Sequence, residues 1–173
     1  MIFVRHPSTS APAGLCYGRL EVGLSRDADR EISGCLESLP AGAPVVASPM
    51  RRCRPLAERV AAREGAAPQY EPRLVEYHFG AWEGQLWSDI PRDVSQRWTD
   101  DVLTEAPPGG ERFIALIDRV RAALAELPEN AIVVSHAGPI RAARMILTGA
   151  DFDTVFADPV PYATPLSFAR EAA

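Results

Sequence analysis

The chain has 173 residues, 47% hydrophobic and 24% charged, with 18 basic side chains against 23 acidic ones and a formal net charge of -5. That length and balance suit one globular domain with a sizeable core, and the acidic surplus argues against a nucleic-acid polymer or an anionic membrane as the main partner. Every basic residue is an arginine, which excludes a Walker-type phosphate loop and Schiff-base chemistry, since both need a lysine, and leaves the guanidinium fork to grip any phosphate or carboxylate.

In chain order, Ile2, Phe3 and Val4 form a short apolar run that stops at Arg5-His6-Pro7, and the pattern predicts a buried strand over residues 2–6. Further strands are expected at 44–48, 69–71, 131–135 and 166–169. Between them lie helical stripes: Ile32, Cys35, Leu36 and Leu39; Cys53, Leu56, Val60 and Ala61; Phe113, Leu116, Ile117, Val120, Leu124 and Leu127; Ile140, Ala143 and Leu147. Pro55 is tolerable in a first helical turn. Pro139 near a start and Gly149 past an end follow the usual asymmetry of helix termini. Residues 82–105 are polar and carry tryptophans, which predicts a helical excursion over the carboxyl edge of the sheet rather than a second domain.

Alternating strands and helices predict an α/β fold, a three-layer α/β/α arrangement with a mostly parallel central sheet, as a single domain over 1–173. Cys16, Cys35 and Cys53 are odd in number and form no C-x-x-C pair, so free thiols in a reducing cytoplasm are expected. The apolar start is too short for a signal peptide or a membrane span.

The chemistry gathers at the strand ends. The strand at 131–135 runs into His136-Ala137-Gly138, so two buried strands each deliver a histidine to the edge where open α/β sheets bind ligands. Ser48-Pro49-Met50-Arg51-Arg52-Cys53-Arg54 brings an arginine cluster to the same edge. The amides of Ala137 and Gly138 are placed to face an oxyanion beside His136. Glu76 and Glu83 are both candidates for proton transfer, since a carboxyl near a bound phosphate is held in its acid form. For Glu83 the simpler role is capping local amides, and for His78 it is loop packing. Neighbours in a strand point to opposite faces, so Arg5 and His6 can share a pocket only if the chain leaves extended geometry there. His6, His136 and Glu76 also make a workable zinc set, against which the adjacent arginines would repel a cation.

Taken together these segments resemble the histidine phosphatase superfamily, the phosphoglycerate-mutase-like fold. The opening Arg-His matches Arg5-His6. The Ser-Pro-Leu-x-Arg element matches residues 48–52 and points to Arg52. The Leu-x-Glu-x-x-Phe-Gly-x-Trp-Glu-Gly element matches residues 74–84 and points to Glu76. The second-histidine element matches residues 135–138. Gly14-Leu15-Cys16-Tyr17-Gly18-Arg19, Trp87-Ser88-Asp89-Ile90-Pro91 and Pro107-Pro108-Gly109-Gly110-Glu111 are closest to the α-ribazole phosphatase branch. Pro12 stands where many members carry a phosphate-contacting asparagine.

The resemblance implies a metal-independent phosphomonoesterase with a phosphohistidine intermediate and no cofactor. His6, Glu76 and His136 would be catalytic; Arg5, Arg52 and Ala137 would bind the phosphate; Tyr17, Arg19 and Trp87 would touch the rest of the substrate. The implied partner is a small phosphomonoester, α-ribazole 5′-phosphate in cobalamin nucleotide-loop assembly. Another small phosphomonoester, or a non-catalytic phosphate-binding role, is the alternative.

Overall fold

The computed structural model describes residues 1–169. Five strands, β1 (Ile2–Arg5), β2 (Val45–Ala47), β3 (Gln69–Tyr70), β4 (Ile132–Ser135) and β5 (Pro165–Ser167), form one sheet in the order β3-β2-β4-β1-β5. All pairings are parallel except that of β5, which closes one edge antiparallel to β1. Six α-helices accompany it: α1 (Ala28–Ser38), α2 (Arg54–Ala62), α3 (Arg92–Asp100), α4 (Phe113–Glu126), α5 (Ala137–Thr148) and α6 (Phe152–Ala157).

Side-chain alternation along the strands splits the core in two. Phe3, Val46 and Val133 face α4 and α5, packing with Leu116, Val120 and Ile140. Val4, Ala47 and Val134 face α1 and α2, packing with Ile32, Cys35, Leu56 and Val60. The sheet is therefore the middle of three layers, as the sequence pattern predicts, and its central strands are apolar on both faces because both faces are covered.

Local signals set the helix ends. Helix α2 takes Pro55 in its first turn, where no N–H is needed. Helix α5 stops at Gly149, whose φ of 68° puts it in the left-handed region that favours glycine. Helix α6 lies outside the predicted stripes because six residues are too few to show a period. The side chain of Asp151 caps it by accepting from Thr154 N, and Phe152 and Phe156 seat it against Phe113. The excursion at 82–105 has a small core of its own, in which Cys16, Trp82 and Ile90 pack with Val94 and Trp98.

Candidate active site

Strands β1 and β4 are neighbours in a register that sets Arg5 opposite Ser135. The next residue on each strand is a histidine, so His6 and His136 emerge side by side. The His6 amide still donates to Ser135 O at 2.9 Å, while β1 itself ends at Arg5. The two imidazoles are edge to face, 5.2 Å apart at their centroids, and both are fully buried.

Arg52 lies between them. The turn after β2 carries it into the interior, where it is 1% exposed. Its Nε sits 3.2 Å from His6 Nε2 and 3.2 Å from His136 Nδ1, and its terminal nitrogens donate to Leu20 O at 3.1 Å and Gly18 O at 2.6 Å. Of the clustered arginines only Arg52 enters the pocket; Arg51 and Arg54 stay on the surface.

These contacts fix the proton positions. Pro7 O lies 2.7 Å from His6 Nδ1, and a carbonyl can only accept, so Nδ1 carries the proton and Nε2 keeps its lone pair. On His136 the Arg52 N–H takes Nδ1, so Nε2 donates to Ser48 Oγ at 2.8 Å. Burial first, then the Arg52 charge, lowers the His6 pKa from 6.5 to about 3. The same causes hold His136 well below its ordinary value. Both rings are neutral near pH 7.

Arg5 stacks over Tyr162, 3.8 Å from the ring centre, and donates to Val160 O at 2.9 Å. Its buried Nε has no acceptor among the described residues. Arg5, Tyr17, Glu76, Phe79, Trp87 and Arg141 line an open cleft of about 290 Å³. Glu76 Oε1 accepts from Tyr77 N at 2.8 Å and from Gly138 N at 3.0 Å. The Gly138 amide, expected to face a bound oxyanion, faces the Glu76 carboxylate instead. A Cβ at position 138 would stand 2.4 Å from that oxygen. Glu83 has the capping role expected of it, accepting from Arg19 N at 2.9 Å and Phe79 N at 3.0 Å.

Arg19 is turned away from the cleft expected for it. Its side chain reaches Glu76 O and Glu111, so it braces the Glu76 segment. Trp82 is core, and Trp98 donates to the Tyr77 hydroxyl. Trp87 stacks on Trp98, is 39% exposed and keeps a face toward the cleft. Sequence reasoning missed Tyr162, which nothing but the return of β5 to the β1 edge could have placed. It also missed Arg141, one turn into α5. The Arg141 guanidinium lies over Phe156 at 4.7 Å, and its buried Nε has no hydrogen-bond acceptor among the described residues.

Two neutral histidines and Arg52 are buried together beside a cleft that Arg5 and Glu76 line, an arrangement suited to a phosphate and poorly suited to a metal ion. The lone pairs that a zinc ion would need on His6 and His136 are the ones that face the Arg52 N–H. Residues 1–168 match the model of the histidine phosphatase superfamily (branch 1), and the chain belongs to that family. It is 30% identical over 153 residues to a bifunctional protein of Mycobacterium tuberculosis, covering 82% of this chain but only 42% of that relative. It is 29% identical to the adenosylcobalamin/α-ribazole phosphatase of Salmonella typhimurium, over 78% of this chain and 72% of that one. Among solved structures, mycobacterial glucosyl-3-phosphoglycerate phosphatase superposes with a TM-score of 0.79 at 26% identity, covering 91% of this chain and 82% of that one.

Proposed function

We propose that this chain hydrolyses a small phosphomonoester through a phosphohistidine on His6, without a metal. The observation that carries the reading is the proton pattern around Arg52. It puts the one lone pair of the His6 ring on Nε2, where it accepts from a fixed cation, Arg52, until a phosphoryl oxygen takes that N–H. In the first step Nε2 forms a bond to phosphorus and the ester oxygen departs, taking a proton from Glu76. Arg5, Arg52 and the Ala137 amide hold the non-bridging oxygens, His136 keeps Arg52 in place through its own Nδ1, and Pro7 O accepts from Nδ1 of His6 as that ring becomes cationic. In the second step Glu76 takes a proton from water, the resulting hydroxide attacks phosphorus, and His6 is released with inorganic phosphate. Positioning and electrostatics carry most of the rate in such transfers.

The acid role of Glu76 has a direct test. Glu76→Gln keeps an acceptor for Tyr77 N and Gly138 N but cannot give a proton. Turnover of alkyl phosphates should fall about 10²-fold or more, the scale of general acid catalysis. The p-nitrophenyl phosphate burst should fall far less, because nitrophenolate leaves unprotonated. Equal losses in the two pre-steady-state bursts would remove Glu76 from the first step.

For the substrate we infer α-ribazole 5′-phosphate, free or joined to its corrinoid. The motif resemblance and the Salmonella relative support this. So does the cleft-facing Trp87 ring, since stacking a flat base is worth about 1–3 kcal/mol. Arg141 favours a second reading, because a guanidinium that lines the cleft together with Glu76 suits a leaving group that carries a carboxylate. The test is kcat/KM in excess EDTA for α-ribazole 5′-phosphate, 3-phosphoglycerate, phosphoserine and a nucleoside monophosphate. α-Ribazole phosphate should lead by at least tenfold, about 1.4 kcal/mol. A lead for the carboxylate esters selects the second reading, and loss of all activity in EDTA, restored by zinc, overturns the metal-free mechanism.

A further inference from the structure

Tyr17 and Tyr162 meet over the phosphate arginines. Their hydroxyl oxygens are 3.0 Å apart. The Tyr162 ring lies against Arg5, 3.8 Å from its guanidinium carbon, and its centroid is 5.6 Å from that of His6. The Tyr17 ring lies 5.5 Å from the Arg52 guanidinium carbon. Each tyrosine thus packs on one of the two arginines that flank His6, although the two residues are 145 positions apart.

The backbone is held to keep Tyr162 there. Arg5 and Tyr162 form an isolated parallel bridge, and Ala163 N donates to Arg5 O at 3.0 Å. Ala163 has a φ of 43°, in the left-handed region that a residue with a Cβ disfavours. It is the one non-glycine residue with positive φ among the described residues. Strain of this kind persists where surrounding contacts over-determine the chain, and such places cluster at ligand clamps.

Counting protons gives the pair a function. Two phenol hydroxyls have two donor hydrogens, and one contact between them uses one. Neither hydroxyl has another hydrogen-bond partner among the described residues. Either oxygen can donate in that contact, and of the two residues it is Tyr17 that lines the cleft, so with a ligand there Tyr162 is the donor within the pair. The Tyr17 hydrogen is then the spare one.

We propose that Tyr17 donates its hydroxyl hydrogen bond to a non-bridging oxygen of the phosphoryl group at His6, and that Tyr162 is the positioning residue that orients that hydroxyl. The inference rests on the phosphohistidine reading and deepens it by naming a donor to the phosphoryl oxygens. No bond is made or broken at either tyrosine.

Phenylalanine at either position keeps the ring on its arginine and removes only the hydroxyl. The readouts are kcat/KM on p-nitrophenyl phosphate and the inhibition constant of orthovanadate, which takes the five-coordinate geometry of the transferring phosphoryl. Tyr17→Phe should weaken both by about tenfold or more, the scale of a hydrogen bond to a charged group. Tyr162→Phe should weaken both by less. In the Tyr17→Phe background Tyr162→Phe should add nothing, because its effect runs through the missing hydroxyl. Losses that multiply, or a folded Tyr17→Phe enzyme within threefold of the parent on both readouts, overturn the proposal.

Should a variant fail to fold, 3-fluorotyrosine at position 17 supplies the answer. A fluorine resonance that moves on adding vanadate supports the contact, and one that stays overturns it. The series is run beside His6→Ala. If that variant still turns over, the phosphohistidine reading fails by itself, whereas vanadate binding continues to report on Tyr17.

Discussion

His6→Ala should lose both turnover and covalent labelling, by at least ~10³-fold in kcat, the order seen when a nucleophile is removed from a site whose other parts remain. The size of the loss follows from the lack of a stand-in. Cys53 is close, with Sγ 3.5 Å from His136 Nε2, but burial pushes its thiol up to about 12 and keeps it protonated. Enzyme quenched during turnover of labelled substrate should carry label that acid removes and alkali spares, as expected of a nitrogen–phosphorus bond. Label that survives acid, or turnover that survives His6→Ala, would falsify the phosphohistidine mechanism.

Arg52→Ala should cost at least ~2 kcal/mol in kcat/KM, the scale of a lost charge-assisted contact, or about 30-fold. The substitution removes the donor shared by the two histidines and leaves Gly18 O and Leu20 O without their partner. It also changes the pH profile in a defined direction. Arg52 is the second cause of the lowered His6 pKa, after burial. Without it the His6 pKa rises part of the way from about 3 toward 6.5, and the acid limb of kcat/KM moves upward with it. Arg52→Lys restores a charge but not the fork, so it should recover little of the rate. A pH–rate series on the three proteins decides the matter. An Arg52→Ala enzyme within threefold of the parent, with an unmoved acid limb, would show that the guanidinium does not act on His6.

The strands and long helices were legible because their signals are local. A buried parallel strand is an unbroken apolar run, and a covered helix face repeats every three or four residues. The pairing of His6 with His136 was legible for a related reason, since two strand ends at one sheet edge need no knowledge of side-chain detail. Arg52 could be singled out from its cluster only by resemblance, because three arginines in one turn look alike until the backbone chooses which points inward. Tyr162 was illegible. It stands in an irregular return segment, and its place beside Arg5 depends on β5 running antiparallel to β1. Arg141 read as one more polar residue on an amphipathic helix, since an absent acceptor leaves no trace in sequence. The Gly138 amide was expected to face an oxyanion, whereas it serves the Glu76 carboxylate, which stands 62 residues away in the chain.

The closeness of Glu76 to Gly138 bears on how this site can change over generations. The oxygen that blocks a side chain at 138 belongs to the end of a flexible carboxylate, not to the backbone. A mutation to alanine there would be accommodated by displacing Glu76, so the fold would tolerate it while proton transfer suffered. Selection for catalysis therefore guards position 138, and selection for folding guards it far less. The two sites, 62 residues apart in the chain, are epistatic: the fitness of a substitution at one is set by the side chain at the other. In a descendant that had abandoned the carboxylate, the glycine would be free to drift.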